Sequence, residues 1–323
     1  MISGLRSCVR NWIVYVLMAA IFAAPAWTQM EFDGKLRDRI AVNLHLIATA
    51  SDWHATEAQS GRLWLQMAYD YQGEGDMQRS EEAYTQALTL LRRSGSQDYG
   101  AALDGLGLLY VVTGRLKEAE RLRREALAVY LGLHDEGGEA KIHINLGINL
   151  LHLHRFKEAE KEASMGVREM EAQTERDESE LIAGLIAASY AKCFQNRCEE
   201  ALVEAGRALA LARAKFAKDA IEVVVALMAT GFDNWKRGAE AEGERMMLEA
   251  IDLVRETKDM SSAMLIDAQM QVLVRYAIYL RETHQKAKAR QIEDEVARLK
   301  DEKPPQCRDC TVHVLALQGS SRE

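Results

Sequence analysis

Between residues 61 and 303 the chain repeats one arrangement of large, small and polar positions. Aligned on "GLGLLYVVTGRLKEAE", residues 105–120, it divides into six units that start at residues 61, 100, 140, 182, 224 and 270. In the second unit Leu103, Leu106, Gly107, Tyr110, Gly114, Ala119 and Ala126 take positions 4, 7, 8, 11, 15, 20 and 27. The first unit has Trp64, Met67, Ala68, Tyr71, Gly75, Ser80 and Ala87 in the same frame, with Tyr84 at position 24. The third keeps Leu146, Gly147, Leu150, Ala159 and Gly166, and places His154 where the others have a turn glycine. The later units diverge further: Leu185, Ser189, Asn196, Ala201 and Ala208, then Leu227, Gly231, Gly238, Gly243 and Ala250, then Leu273, Ala277, Leu280, Ala289 and Val296. Offsets of three and four residues mark one face of a helix. Each unit therefore predicts two amphipathic helices joined by a turn at position 15. Small residues at positions 8, 20 and 27 let helices approach, and larger ones at 4, 7, 11 and 24 fill the space between. Gly105, at position 6, has no counterpart in this pattern, although a glycine inside a helix costs up to about 1 kcal/mol relative to alanine.

These positions resemble the tetratricopeptide repeat, whose first helix reads W-x2-L-G-x2-Y and whose second helix carries small residues. The resemblance covers residues 61–303 and implies an all-α, right-handed superhelical solenoid of about six antiparallel helix pairs. Successive starts are 39, 40, 42, 42 and 46 residues apart, longer than the family's usual unit of about 34, and no unit has the family's proline near position 32. Without that proline the second helix is free to run one or two turns further. HEAT-type repeats also have lengths near 40, but the L-G-x2-Y-x3-G order favours the tetratricopeptide type. The polar stretches "SGSQD", "HDEGGE" and "TERDES" close units and offer N-caps such as Asp98. Residues 27–60 precede the array, and "LRDRIAVNLHLIATA" at 36–50 reads as an amphipathic helix capping the first unit. After Pro304 and Pro305 the segment "TVHVLAL" reads as short and extended.

Residues 30–303 contain no proline, in keeping with an all-helical body. The net charge is -8, or -10 once residues 1–26 with Arg6 and Arg10 are set aside. An acidic chain with cations scattered over helix faces is a poor partner for nucleic acid, so none is expected. At the N-terminus Arg6 and Arg10 precede an apolar run from Trp12 to Ala24 and the small-x-small site Ala24-Pro25-Ala26. That is the layout of a signal peptide cut after Ala26, which places the body in the periplasm or the secreted fraction. The alternative is an uncleaved signal anchor whose run extends to Trp27. No later apolar run has spanning length, so no membrane span is expected after cleavage.

In the tetratricopeptide family the first helices line the concave face, and positions 2, 5, 9, 12 and 13 commonly meet a bound peptide. Carried onto this chain, they give Leu65, Tyr69, Leu108, Val111, Val112, Ile144, Ile148 and Leu151 in the first three units. The next two add Ile186, Tyr190, Phe194, Met228, Phe232 and Trp235. This set is largely apolar. Either it packs within a tightly curled array, or it forms a groove for an apolar segment from a partner or from the chain's own ends. With Leu65 and Tyr69 at positions 5 and 9, the cation and amide of the carboxylate clamp found in some co-chaperone relatives are missing from the first unit.

Four cysteines remain after cleavage. Cys193 and Cys198 flank the turn of the fourth unit, within reach of a disulfide or left as two buried thiols. Cys307 and Cys310 form a CxxC, compatible with a local disulfide, a reactive dithiol or half a zinc site. His143 and His154 share a helix face, but eleven residues separate them by about 16 Å, too far for one metal. The many Glu, Lys and Arg residues read as ordinary solvated helix faces. No phosphate-binding glycine loop, HExxH or GxSxG is present, and neither a catalytic residue nor a cofactor is expected. The resemblance implies a non-catalytic scaffold that binds a protein or peptide. A redox- or metal-dependent factor using the CxxC and a signal-anchored assembly factor stand as alternatives.

Overall fold

The computed structural model describes residues 33–257 and 262–302. The signal segment, "TVHVLAL", Cys307 and Cys310 lie outside the described residues. Within them are thirteen α-helices and no strand. A leading helix, α1 (Asp33–Ala48), is followed by α2 (Glu57–Gly73) and α3 (Met77–Leu91), α4 (Gln97–Val112) and α5 (Leu116–Leu133), and α6 (Glu136–His152) and α7 (Phe156–Ala172). The remaining pairs are α8 (Glu178–Cys193) with α9 (Cys198–Lys215), α10 (Ile221–Lys236) with α11 (Glu240–Glu256), and α12 (Ser262–Glu282) with α13 (Lys286–Glu302). Helix α12 has 21 residues, so the longest unit spacing is taken up by an extra turn before its first repeat position.

The turn at position 15 has one conformation in all six pairs. Gly75, Gly114, His154, Asn196, Gly238 and His284 have φ of 79°, 82°, 57°, 62°, 93° and 62°. In each pair the N–H of position 16 donates to the carbonyl of position 11 at 2.7–3.1 Å, closing the end of the first helix with a six-to-one bond. Glycine enters this left-handed region freely, and asparagine tolerates it. A histidine there costs on the order of 1–2 kcal/mol, which the rest of the fold supplies twice.

Between pairs, helix starts are capped by side chains. Thr56 forms a reciprocal capping box with Gln59, while Asp135 and Asp177 accept from the first-turn N–H groups of α6 and α8. Asp98 is not such a cap: Ser96 holds the N-cap position of α4, and Asp98 sits in the first turn, 3.2 Å from Arg62. The leading helix is pinned by Arg39, whose Nη2 lies 2.6 Å from the fully buried Asp70 on α2.

Small residues sit where backbones meet. Ala68, Ala119, Ala159, Ala201 and Ala289 are fully buried. A Cβ on Gly147 would lie 2.8 Å from the Ala163 Cβ and 2.9 Å from the Ala163 backbone nitrogen. Gly105 has a different cause. A Cβ there would lie 2.6 Å from Cε1 and the hydroxyl of Tyr84, a fully buried side chain of the preceding pair whose OH donates to Gln72. The glycine that the repeat pattern leaves unexplained thus makes room for a neighbouring repeat's aromatic ring.

The core forms two apolar clusters that meet at α6, which gives Ile142 and Leu146 to the first and Ile144, Leu150 and Leu151 to the second. Buried polar groups lie around the junction: Asp104, Arg123, Asn149 and His152, with Arg123 Nη1 donating to the Asn145 carbonyl at 2.6 Å. Charged residues also link successive pairs in register. At position 16, Arg115, Arg155 and Arg197 each pair with a glutamate three residues on and with Glu81, Glu120 and Glu160 of the preceding unit, at 2.5, 2.8 and 2.8 Å. A second series joins consecutive second helices through Glu171–Arg207, Arg213–Glu249 and Arg255–Glu295. These charges are therefore inter-repeat contacts as well as solvated faces. Successive first helices also approach one another, while the backbones of successive second helices stay further apart, so the array curls with the first helices inside.

Candidate functional site

The inner face is built from α2, α4, α6, α8, α10 and α12. Position 9 of these helices carries Tyr69, Leu108, Ile148, Tyr190, Phe232 and Ile278, a row of large apolar side chains running the length of the array. Leu108 is 44% exposed, Tyr69, Ile148, Phe232 and Ile278 are half-buried, and Tyr190 alone among the six is buried, at 5%. Val112 and Phe194 are half-buried beside the row. The other residues expected on this face lie inside the protein's own core: Leu65, Val111, Ile144, Leu151, Ile186, Met228 and Trp235 are all buried. At these sites positions 5 and 12 are buried, while position 9, Tyr190 apart, is half-buried or exposed.

The row is apolar, but its surroundings in the first four pairs are charged. Arg62 Nη1 lies 3.2 Å from Asp98 Oδ2, and Lys141 Nζ lies 3.0 Å from Glu180 Oε1. Both cations stand at position 2 of one unit, and both acids stand two residues before the next unit begins. Asn145 Nδ2 donates to Asp104 at 3.0 Å between them. Burial works against the Lys141 ammonium, but Glu180 and Asp104 hold it above the ordinary lysine range. The sequence signal for these groups was the charge at position 2, within the set the family uses for ligand contact. Their partners, 36 and 39 residues away, carried no signal of their own.

In the last four pairs the inner face is aromatic. Phe156 stacks on Phe194 at 5.0 Å between centroids, and Phe232 meets Phe194, Tyr190 and Trp235 at 5.5, 5.3 and 5.7 Å. Trp235 continues to Tyr279 at 5.4 Å, and Lys236 Nζ lies 3.9 Å over the Trp235 ring while pairing with Glu282. Arg275, from α12, reaches across α10 to α8: its guanidinium lies over the Tyr190 ring at 4.7 Å and donates to the Tyr190 hydroxyl. Behind the aromatics Ser189 donates to the fully buried Asp233 at 2.5 Å, and Asp233 Oδ1 has no hydrogen-bond partner among the described residues. Burial pushes the Asp233 carboxyl up to about 7, with Ser189 opposing.

The histidines are separate structures. His143 fills a core position, with Nδ1 2.7 Å from Glu162 and Nε2 4.0 Å from Glu169, while His154 is a turn residue set edge-on to Phe156. Among the described residues no group of three His, Cys, Asp or Glu side chains is arranged to hold a metal, and no helix is long and apolar enough to cross a membrane. Cys193 and Cys198 lie with their sulfurs at bonding distance across the turn between α8 and α9.

Residues 59–132, the first two helix pairs, match the family model of the tetratricopeptide repeat. Those two pairs resemble that repeat in sequence, and the array as a whole has a tetratricopeptide-like fold. Solved structures share that fold along most of the chain. The apo form of RapI is 14% identical, with a TM-score of 0.70 over 83% of this chain and 92% of its own. NprR in complex with its cognate peptide NprX is 14% identical, with a TM-score of 0.56 over 93% and 80%. A Rap protein complexed with competence and sporulation factor is 13% identical, with a TM-score of 0.54 over 94% of each chain. At such identities the likeness is one of fold. No curated protein matches the sequence. A tetratricopeptide-type array is in general a non-catalytic surface for protein interaction, and on the inner face of this one the position 9 row combines the exposed Leu108 with four half-buried large side chains.

Proposed function

We propose that this chain is an exported, non-catalytic scaffold that binds a peptide or protein segment on its concave face. The observation that carries the reading is the position 9 row, an apolar strip flanked in the first four pairs by charge pairs at Arg62–Asp98 and Lys141–Glu180. Such a strip suits an extended segment, with apolar side chains on the row and polar groups at its rim. The complexes of NprR with NprX and of a Rap protein with competence and sporulation factor support a bound segment on this fold.

Panning a random dodecapeptide display library against the immobilised mature chain tests the reading. Enriched sequences should converge, and Leu108→Glu and Lys141→Glu should each weaken their binding at least tenfold with helical circular dichroism unchanged. Failure of any sequence to enrich on the wild-type chain would sink it. Export predicts that the mature protein begins at Trp27, which N-terminal sequencing reads directly. A disulfide at Cys193–Cys198 fits an oxidising compartment. Mass spectrometry of the non-reduced protein should find that pair linked, and would also give the state of Cys307 and Cys310.

A further inference from the structure

Charge on the inner face is distributed unevenly. In the first four pairs the cations at position 2 face carboxylates: Arg62 has Asp98, and Lys141 has Glu180. Lys236, at the other end, has Glu282. Arg275 is half-buried, yet among the described residues its only polar partner is the neutral hydroxyl of Tyr190. The nearby buried acid, Asp233, is turned to Ser189 instead. A guanidinium withdrawn from water is ordinarily matched by a carboxylate or phosphate that its planar fork binds through two parallel bonds. Stacking on Tyr190 offsets part of that need but satisfies few of its donors.

The same side chain explains an irregularity in the position 9 row. Tyr190 is its one buried member, and the group lying over its ring is Arg275, which comes from two pairs further along. We propose that Arg275 is both the cover of Tyr190 and the anion reader of the concave face. Resting on the reading that this face binds a peptide, the partner is an extended segment with an Asp or Glu side chain set among apolar residues. Its carboxylate draws Arg275 off Tyr190, and its neighbouring apolar side chains seat on Ile148, the uncovered Tyr190, Phe232 and Ile278. A small carboxylic acid would meet the guanidinium but leave most of that row uncovered. A chain terminus would present its carboxylate without apolar residues on both sides.

The test uses the full mature chain and two pools of terminally blocked dodecapeptides with Leu, Ile and Phe randomised around one central residue, either Glu or Gln. Binding is followed by fluorescence polarisation. The Glu pool should bind about tenfold more tightly than the Gln pool. Arg275→Gln should erase that preference, Arg275→Lys should keep part of it, and Phe232→Ala should weaken both pools alike. Equal binding of both pools to the wild-type chain overturns the anion reader and leaves the concave peptide site standing. No binding of either pool overturns both. If the Glu pool binds only after residues 303–323 are removed, the chain's own tail is the occupant and a separate partner is refuted.

Discussion

Replacing Gly105 by Ala puts the packing logic of the array to a quantitative test, because two effects of opposite sign meet at one atom. In an isolated helix the change should stabilise by up to about 1 kcal/mol, since glycine loses more backbone entropy on becoming helical. In this protein the new Cβ would lie 2.6 Å from Cε1 and the hydroxyl of Tyr84 and 2.8 Å from Cζ, about 0.8 Å inside ordinary contact at 3.4 Å. Tyr84 is fully buried and its hydroxyl is held by Gln72, so the ring has no open side to move toward. Overpacking of this kind costs about 1–3 kcal/mol, and three atoms under 3.0 Å place it at the upper end of that range. After the helix gain is subtracted, Gly105→Ala should destabilise by roughly 2 kcal/mol. Urea unfolding followed by helical circular dichroism reads the value from the shift in midpoint at unchanged slope. The control is the same change in a Tyr84→Ala background, where the clash is gone and Gly105→Ala should stabilise by up to about 1 kcal/mol. A neutral or stabilising effect in the wild-type background, or the same effect in both, would refute the assignment of Gly105 to Tyr84.

Three other perturbations follow from the structure. His154→Gly and His284→Gly should each stabilise by about 0.5–1 kcal/mol in thermal or urea melts, because both histidines are in the left-handed region, whereas Gly114→Ala should destabilise by about 1 kcal/mol. Asp233 has a folded pKa raised to about 7, so folding favours its protonated form. Its contribution is fully present below the unfolded value near 3.9 and is lost as pH rises through 7, on the order of 3–4 kcal/mol. Asp233→Asn should therefore flatten the pH dependence of unfolding across that window and exceed the wild type at pH 8; parallel curves would rule this out. Hydrogen bonding to Glu162 raises the His143 pKa against the opposing effect of burial. That stabilisation is complete below the ordinary histidine value of about 6.5 and declines as pH rises through the higher folded value, a loss that His143→Gln should remove from unfolding curves taken between pH 6 and 9.

How much of this was legible beforehand depends on how far apart the interacting residues are. The register of small residues at positions 8 and 20 and the turn at position 15 were readable because they are set within about 20 residues by helix geometry and by which residues enter the left-handed region. His154 read as a departure from that turn, yet it adopts the same conformation, because the six-to-one bond and the packing of α6 on α7 determine φ there more strongly than the residue's own preference. Asp98 was read as a cap and is instead a partner of Arg62, a choice made between two helices rather than within one. The fourteen candidates for the inner face formed one apolar class in the sequence. The curl of the array divided them, burying Ile144 and Met228 against neighbouring helices and leaving Leu108 in solvent.

The sequence by itself determined the helical class, the pairing of helices and the position of the turn within each pair, since each is a local property that repeats and can be checked unit against unit. Only the tertiary structure decided why Gly105 is glycine, which charges join across repeats, and that Arg275 lies on Tyr190 from 85 residues away. Periodicity reports which face of a helix is apolar. What covers that face is set by the rotation from one pair to the next, a sum of many small packing displacements that no single stretch of sequence encodes.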